Sequence, residues 1–290
     1  MSFGKILRSL RVEHFNDEMS PWSQRELADA ADLPLSVIQN IEQGRRKYLD
    51  AEEIDSLGHA LNLSAFERRE FLSVANAPAK SPPRHAADSH ATFDDLLSIV
   101  RAARTPAYLL DPFCNLVAIN GAMIDYSGLS VARLRQLAAQ SPNGANALRI
   151  TFSEATLLRS GNRDRWERAA RASIQQFRYT VLRYRGSPYF EQLLEQLHQF
   201  SEFRRLWRER RAQGRGLGTE SLQIRFEHPA HGEINYATTF STTFTDDGPL
   251  HLIVYIPLND PTAQYFAQAA SNATPTQRPT AWPDPALHWR

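Results

Sequence analysis

Apolar residues recur at helical spacing through the first 76 positions and then give way, beyond residue 105, to short apolar runs bounded by turn residues. Between Gly4 and Phe15, the side chains Ile6, Leu7, Leu10 and Phe15 fall on one helical face. Ser23 is placed to cap a second helix, and Ser36 to Gln43 predicts a third that stops at Gly44. Ala51 to Leu61 and Ser64 to Val74 supply two more. Residues 1–76 therefore read as a compact all-helical bundle. From Ala77 to Ala91 there are three prolines and almost no large apolar side chain, so residues 77–92 are expected to form an extended linker.

The second region has a mixed pattern. A short helix is expected over Phe93–Ala103, followed by two strand-like runs, Ala107–Leu110 and Leu116–Ile119, joined through Asp111 and Pro112. Residues 163–185 and 189–211 carry long helical patterns separated by Gly186, Ser187 and Pro188, which predicts an antiparallel helical hairpin. Ser221–Glu227, Glu233–Thr245 and His251–Pro257 read as strands, with Asp246, Asp247 and Gly248 turning between the last two. Residues 93–270 are thus expected to be one α+β domain with about five antiparallel strands. Residues 271–290, with four prolines and few aliphatics, read as a tail.

Charge changes this picture locally. The net charge of +1 conceals nine Lys+Arg against thirteen Asp+Glu in residues 1–76, a net of −4, and fourteen Arg against six acids in residues 159–215, a net of +8. The arginine excess reads first as a solvated helix face. Cys114, the single cysteine, excludes an intrachain disulfide and a cysteine-built zinc site. The charged residues spread through positions 1–25 do not suit a secretory signal, and the longest apolar run, Leu252–Leu258, is far short of the ~20 residues of a membrane helix. A soluble cytoplasmic protein without membrane association is expected. No glycine-rich phosphate loop, His-Glu-x-x-His or Gly-x-Ser-x-Gly pattern occurs in residues 93–270, and His198, His228, His231 and His251 read as structural. The expectation is a non-enzyme with no catalytic residues, metal or cofactor.

The segment from Ser23 to Arg45 carries the sharpest signal. Leu27, Ala28, Ala31, Leu33, Ile38 and Ile41 are spaced to pack two helices across a short turn, leaving one face of the second helix outward. On that face Gln39 and Asn40 offer amide donor and acceptor pairs to base edges, with Leu35 and Ser36 at the helix start. Gln24, Arg25, Arg45, Arg46 and Lys47 flank it as phosphate contacts. A bundle with a merely solvated polar face is the simpler alternative; the complete spacing favours DNA. The segment resembles the lambda-repressor-like XRE regulators, whose Ser/Thr-Gln-x-x-Leu-Ala, turn and Ile-x-x-x-Glu-x-Gly-Arg pattern appears as Ser23, Gln24, Leu27, Ala28, then Ile38, Glu42, Gly44 and Arg45. Asp32 stands where the turn usually has glycine, and Pro34 where serine is common; Asp tolerates the left-handed conformation at modest cost.

Aromatic residues are frequent in the second region, and a helical hairpin laid over a sheet would enclose an apolar cavity with an arginine at its rim; core packing accounts for the aromatics equally well. Pro106-Ala-Tyr-Leu-Leu-Asp, Val117-Ala-Ile-Asn, Trp166-Glu-Arg-Ala-Ala-Arg, Phe203-Arg-Arg-Leu-Trp and Phe226-Glu-His-Pro-Ala-His-Gly-Glu together resemble the ligand-binding domain of MmyB-like regulators. A departure is Ile119, where that family usually has tryptophan before the asparagine. The resemblance implies a PAS-like sensor domain behind an XRE-type reader, with a fatty-acid-like ligand whose carboxylate meets a cation. Arg178 is the expected carboxylate partner, with a surface position or a salt bridge to Glu202 as the alternative; Trp166, Leu182, Phe203, Trp207, Phe240 and Tyr255 are the expected walls. The whole chain then reads as a helix-turn-helix bundle followed by a PAS-like α+β domain with a long helical hairpin. It is expected to be a homodimer on a double-stranded, inverted-repeat operator. The alternatives are a repressor whose second domain serves only dimerisation and, further off, an acyl-processing enzyme with a DNA-binding domain.

Overall fold

The computed structural model describes residues 2–46, 48–76, 91–140, 145–153, 163–209, 222–228, 230–272 and 274–283. The chain divides into two packed units: Met1–Arg84 with Gln175–Gly218, and His85–Ile174 with Thr219–Arg290. Most of the expected linker, residues 77–90, lies outside the described residues.

The first unit opens with α1 (Phe3–Val12), α2 (Gln24–Ala30), α3 (Leu35–Glu42), α4 (Ala51–Ala60) and α5 (Ala65–Ala75). Three of these start at capping boxes, Ser23 with Glu26, Asp50 with Glu53 and Ser64 with Glu67, each satisfying orphan N–H groups of the first turn. α2 and α4 end alike. Asp32 and Asn62 take the left-handed conformation, and the following N–H groups of Leu33 and Leu63 reach back to Ala28 O (3.0 Å) and Gly58 O (2.9 Å). Ile6, Leu7, Leu27, Ile38, Leu57 and Phe71 form the centre of the core. Gly4 permits the close approach of α1 to α3, because a Cβ there would overlap the Ile41 carbonyl oxygen and meet Glu42 Cα at 3.0 Å.

The expected hairpin is built differently from its periodicity. Its first arm is α10 (Arg163–Thr180), preceded in the chain by α6 (Phe93–Ala102), α7 (Gly121–Ser127), α8 (Val131–Gln140) and α9 (Ala147–Phe152), and a 3₁₀ turn at Leu182–Tyr184 follows. The second arm is two helices, α11 (Pro188–Leu197) and α12 (Ser201–Arg208), rather than one. Phe190, Leu193 and Leu197 are buried, and a continuous helix would next bury residues 201 and 204, yet those are exposed while Phe203, Leu206 and Trp207 are buried. The break at residues 198–200 resets the phase so that both stripes face inward. Residues 210 and 211, expected in the same arm, lie outside the described residues. The segment from residue 175 packs with the N-terminal bundle: Leu182 joins its core, Arg183 pairs with Glu70 at 2.6 Å, and Arg185 pairs with Glu13.

The second unit contains α6 (Phe93–Ala102), β1 (Ala107–Leu110), β2 (Leu116–Ile119), α7 (Gly121–Ser127), α8 (Val131–Gln140), α9 (Ala147–Phe152), β3 (Leu222–His228), β4 (Gly232–Thr245), β5 (Gly248–Pro257) and α13 (Asp260–Ser271). The five strands form one antiparallel sheet in the order β2-β1-β5-β4-β3, the α+β arrangement expected. Leu96, Leu97 and Val100 of α6 cover one face against Leu109, Val117 and Leu250. On the other face α7 and α13 contribute Tyr126 and Phe266 to a cluster with Ile224, Ile234 and Tyr236. The β1–β2 connection is locked by buried Asp111, whose carboxylate accepts from the backbone N–H groups of Phe113 (2.9 Å) and Asn115 (2.8 Å) and from Asn115 Nδ2 (2.8 Å). Part of the expected tail is ordered structure: Gln277 exchanges two backbone hydrogen bonds with Ile119, and Trp282 is buried against the α6 side. Its prolines rule out helix but do not prevent an extended strip from adding to the edge of β2. Among the described residues, no helix is long and apolar enough to cross a membrane.

Candidate functional site

Helices α2 and α3 meet across the Asp32 turn, with Leu27, Ala28 and Ala31 of the first side buried against Ile38 and Ile41 of the second. Hydrogen bonds from the Ser23 backbone, the Asn16 amide and the Ser23 side chain hold the Glu26 carboxyl below its ordinary pKa, so the cap stays charged at neutral pH. α3 starts at Leu35 behind Pro34, a residue suited to ending one segment and opening a helix, and no side chain caps it. Ser36, Arg25 and Arg45 are exposed, and Gln39 and Asn40 are half-buried.

The structure separates the expected DNA contacts into two groups. Gln24 Nε2 donates to Glu42 Oε2 at 2.7 Å, and Arg11 grips the same carboxylate through Nε (2.7 Å) and Nη2 (2.9 Å) while its Nη1 donates to Trp22 O. These bonds tie α1, α2 and the end of α3 together, so the Gln and Glu of the motif act here as a brace. Arg46 bonds Glu53 at 2.7 Å and Tyr48 O at 3.2 Å, which engages it within the bundle. Leu35 packs against the bundle core. Arg25, Ser36, Gln39, Asn40 and Arg45 remain as the outward set, and Lys47 lies outside the described residues.

In the second unit a cavity of about 120 Å³ opens between the sheet and the helices that follow β2. Tyr108, Tyr236 and Tyr255 come from the sheet, Tyr126 from α7 and Trp166 from the first part of α10. Ile119, Met123, Leu129, Ile150 and Ile224 complete an apolar wall. The register explains the grouping: Tyr108 stands opposite Ile119 on β2 and Ile253 on β5, and Tyr236 stands opposite Ile224, so alternate positions on neighbouring strands share this face. The Tyr126 and Tyr236 hydroxyls are 2.6 Å apart, and the Tyr236 and Tyr255 rings stack at 4.8 Å. Burial raises the phenol pKa of Tyr108 and Tyr255, so both are neutral at physiological pH.

Of the expected ligand contacts, Trp166 and Tyr255 line this cavity. Arg178, Leu182, Phe203 and Trp207 do not, because they belong to the first unit. Arg178 lies over the Trp207 ring at 4.5 Å and donates through Nη2 to Trp207 O, while Trp207 stacks on Phe203 at 5.4 Å. Phe240 is 39% exposed on β4 and stacks on His251 at 5.0 Å. The lining that periodicity missed is Tyr108, Tyr126 and Tyr236, brought together by strand order and by α7. No group of His, Cys, Asp and Glu able to hold a metal occurs among the described residues.

A family model for the MmyB-like transcription regulator ligand binding domain matches residues 94–269, a stretch that contains every residue lining the tyrosine cavity. No curated protein matches the chain. With more than half of its length matched, the chain belongs to the family carrying the MmyB-like transcription regulator ligand binding domain.

Proposed function

We propose that this chain is a ligand-responsive transcription regulator that reads double-stranded DNA with α3 and senses a small apolar molecule in the tyrosine cavity. The observation that carries the reading is the set of Ser36, Gln39 and Asn40 on α3 with Arg25 on α2 and Arg45 just past α3, held by the Arg11–Glu42–Gln24 bonds, in a chain that belongs to a regulator ligand-binding family. Gln39 and Asn40 read base edges, Ser36 and Arg45 position the helix, and Arg25 holds phosphate from α2. The domain's acidic balance is compatible with this, because phosphate contact depends on a few placed cations. The regulator acts as a homodimer on an inverted repeat with half-sites about one helical turn, ~34 Å, apart. Ligand changes operator affinity by binding two arrangements of the dimer unequally.

The test is selection of a binding site from random DNA, followed by anisotropy titrations of the full chain at several salt concentrations. Gln39→Ala and Asn40→Ala each lose about 1–3 kcal/mol on the selected site and little on random DNA, whereas Arg45→Ala weakens both and lowers the salt slope by about one. Unchanged sequence preference in both amide variants would overturn α3 as the reader.

A further inference from the structure

Residues 1–76 carry a net charge of −4, so the cations that hold this bundle to a polyanion are few or come from elsewhere in the chain. Residues 175–209 belong to the same packed unit and bring six arginines against four glutamates. Most of the six are engaged. Arg178 donates to Trp207 O, Arg183 pairs with Glu70, Arg185 with Glu13, and Arg205 with both Glu202 and Glu209. Arg204 and Arg208 are left: both are exposed, and neither has a carboxylate partner among the described residues. Four positions apart on α12, they are neighbours on its solvated side.

The loop between α1 and α2 joins this pair to the reader. Arg208 lies over the Phe15 ring at 5.4 Å. The next residue, Asn16, donates its side-chain amide to Glu26 at 2.9 Å, within the capping box that opens α2, and Arg25 stands in the first turn of that helix. Burial lowers the His198 pKa, with Glu13 raising it and Arg208 and Arg204 lowering it, so these three charges gather around one imidazole at the end of α1. We propose that Arg204 and Arg208 of α12 bind phosphates of the same DNA, beside the phosphate held by Arg25. The inference rests on the reader proposed above. It gives an acidic bundle part of its backbone grip from a helix far along the chain, through guanidinium groups whose planar donors suit phosphate oxygens. Such contacts hold DNA without selecting its sequence.

The experiment is anisotropy titration of the full chain with the selected site and with random duplex, from about 50 to about 200 mM salt. Replacing both arginines, Arg204→Gln with Arg208→Gln, weakens binding to the two DNAs alike, by about 3–10-fold per arginine, and lowers the salt slope by about two. Arg204→Lys with Arg208→Lys keeps most of that slope, because a point charge still meets a phosphate. Arg101→Gln with Arg104→Gln, which removes the same charge from α6 and its C-terminal flank, leaves the slope unchanged. Melting temperatures equal to that of the parent show that all three variants are folded. Parent-like affinity and slope in the α12 glutamine variant, or a loss no larger than that of the α6 variant, overturns the contact and leaves the reader standing. A loss confined to the selected site also overturns it, since that is base reading and not a phosphate grip. A parent chain that binds neither DNA overturns the reader and this inference together.

Discussion

Replacing Glu13 tests the packing of residues 175–208 against the N-terminal bundle. Arg185 is fully buried, and its Nη1 bonds the Glu13 carboxylate, whose side chain is 18% exposed just after α1. Its Nε and Nη2 have no hydrogen-bond partner among the described residues, and the guanidinium faces the rings of Phe190 and Trp207 at 5.4 and 5.5 Å. Aromatic faces attract the cation but cannot replace a carboxylate. Glu13→Gln therefore leaves a nearly uncompensated charge in the interior, at a cost of about 3–5 kcal/mol. For a domain of this size that is a fall in melting temperature of roughly 6–20 °C. Arg185→Met costs less, because the orphaned carboxylate sits at the edge and relaxes toward water, and the double variant recovers most of the loss of Glu13→Gln. Urea denaturation of the four proteins at pH 7 gives the cycle. A loss below 1 kcal/mol for Glu13→Gln, or a double variant whose loss is the sum of the two, would refute the buried-pair argument.

Three further outcomes follow from particular geometries. Burial pushes the His251 imidazole pKa down to about 3, while the unfolded side chain titrates near 6.5, so stability is complete above about pH 6.5 and is lost progressively as pH falls toward 3. Between pH 7 and 5 this group removes about 2 kcal/mol, and His251→Gln flattens that part of the urea-midpoint profile; an unchanged profile contradicts it. Asp32→Val forces a β-branched residue into the left-handed region and costs about 1–2 kcal/mol, whereas Asp32→Gly is neutral or better; equal stability of the two variants rejects the turn argument. Gly4→Ala pushes a methyl group into the Ile41 carbonyl and lowers stability by about 1–3 kcal/mol, read as a loss of melting temperature; an unchanged value shows that α1 and α3 separate freely.

Local signals were the legible ones. The Ser23 cap, the Asp32 turn and the bounds of β1 and β2 all depend on residues within a few positions of one another, and the structure has them where the sequence predicts them. α13 also carried a readable start, the Asn259 side chain accepting from the Thr262 backbone N–H with Pro261 in the first turn, but its place beside strand-like runs obscured it. α7, α8 and α9 were missed because they are short, and α7 begins on glycine. The cavity was only half legible. Trp166, Phe203 and Trp207 were all expected as cavity walls and all three are buried, but a helical apolar stripe does not reveal which core it enters. Arg178 finds Trp207 across 29 positions and Gln24 finds Glu42 across 18, and neither pairing has a local signature.

The interleaving of the two units in the sequence constrains how this protein can be dissected. Cutting at the proline-containing stretch after residue 76 releases the five-helix bundle without Leu182 in its core and without Arg185 beside Glu13. Such a truncation leaves an apolar gap and a carboxylate without its cation, so the isolated piece should be expressed poorly or unfold at modest temperature. The same constraint bears on inheritance. A recombination event that swapped only the first 76 residues would join a new bundle to a plug evolved for the old one, so the bundle and residues 175–208 are expected to be exchanged together rather than as independent modules.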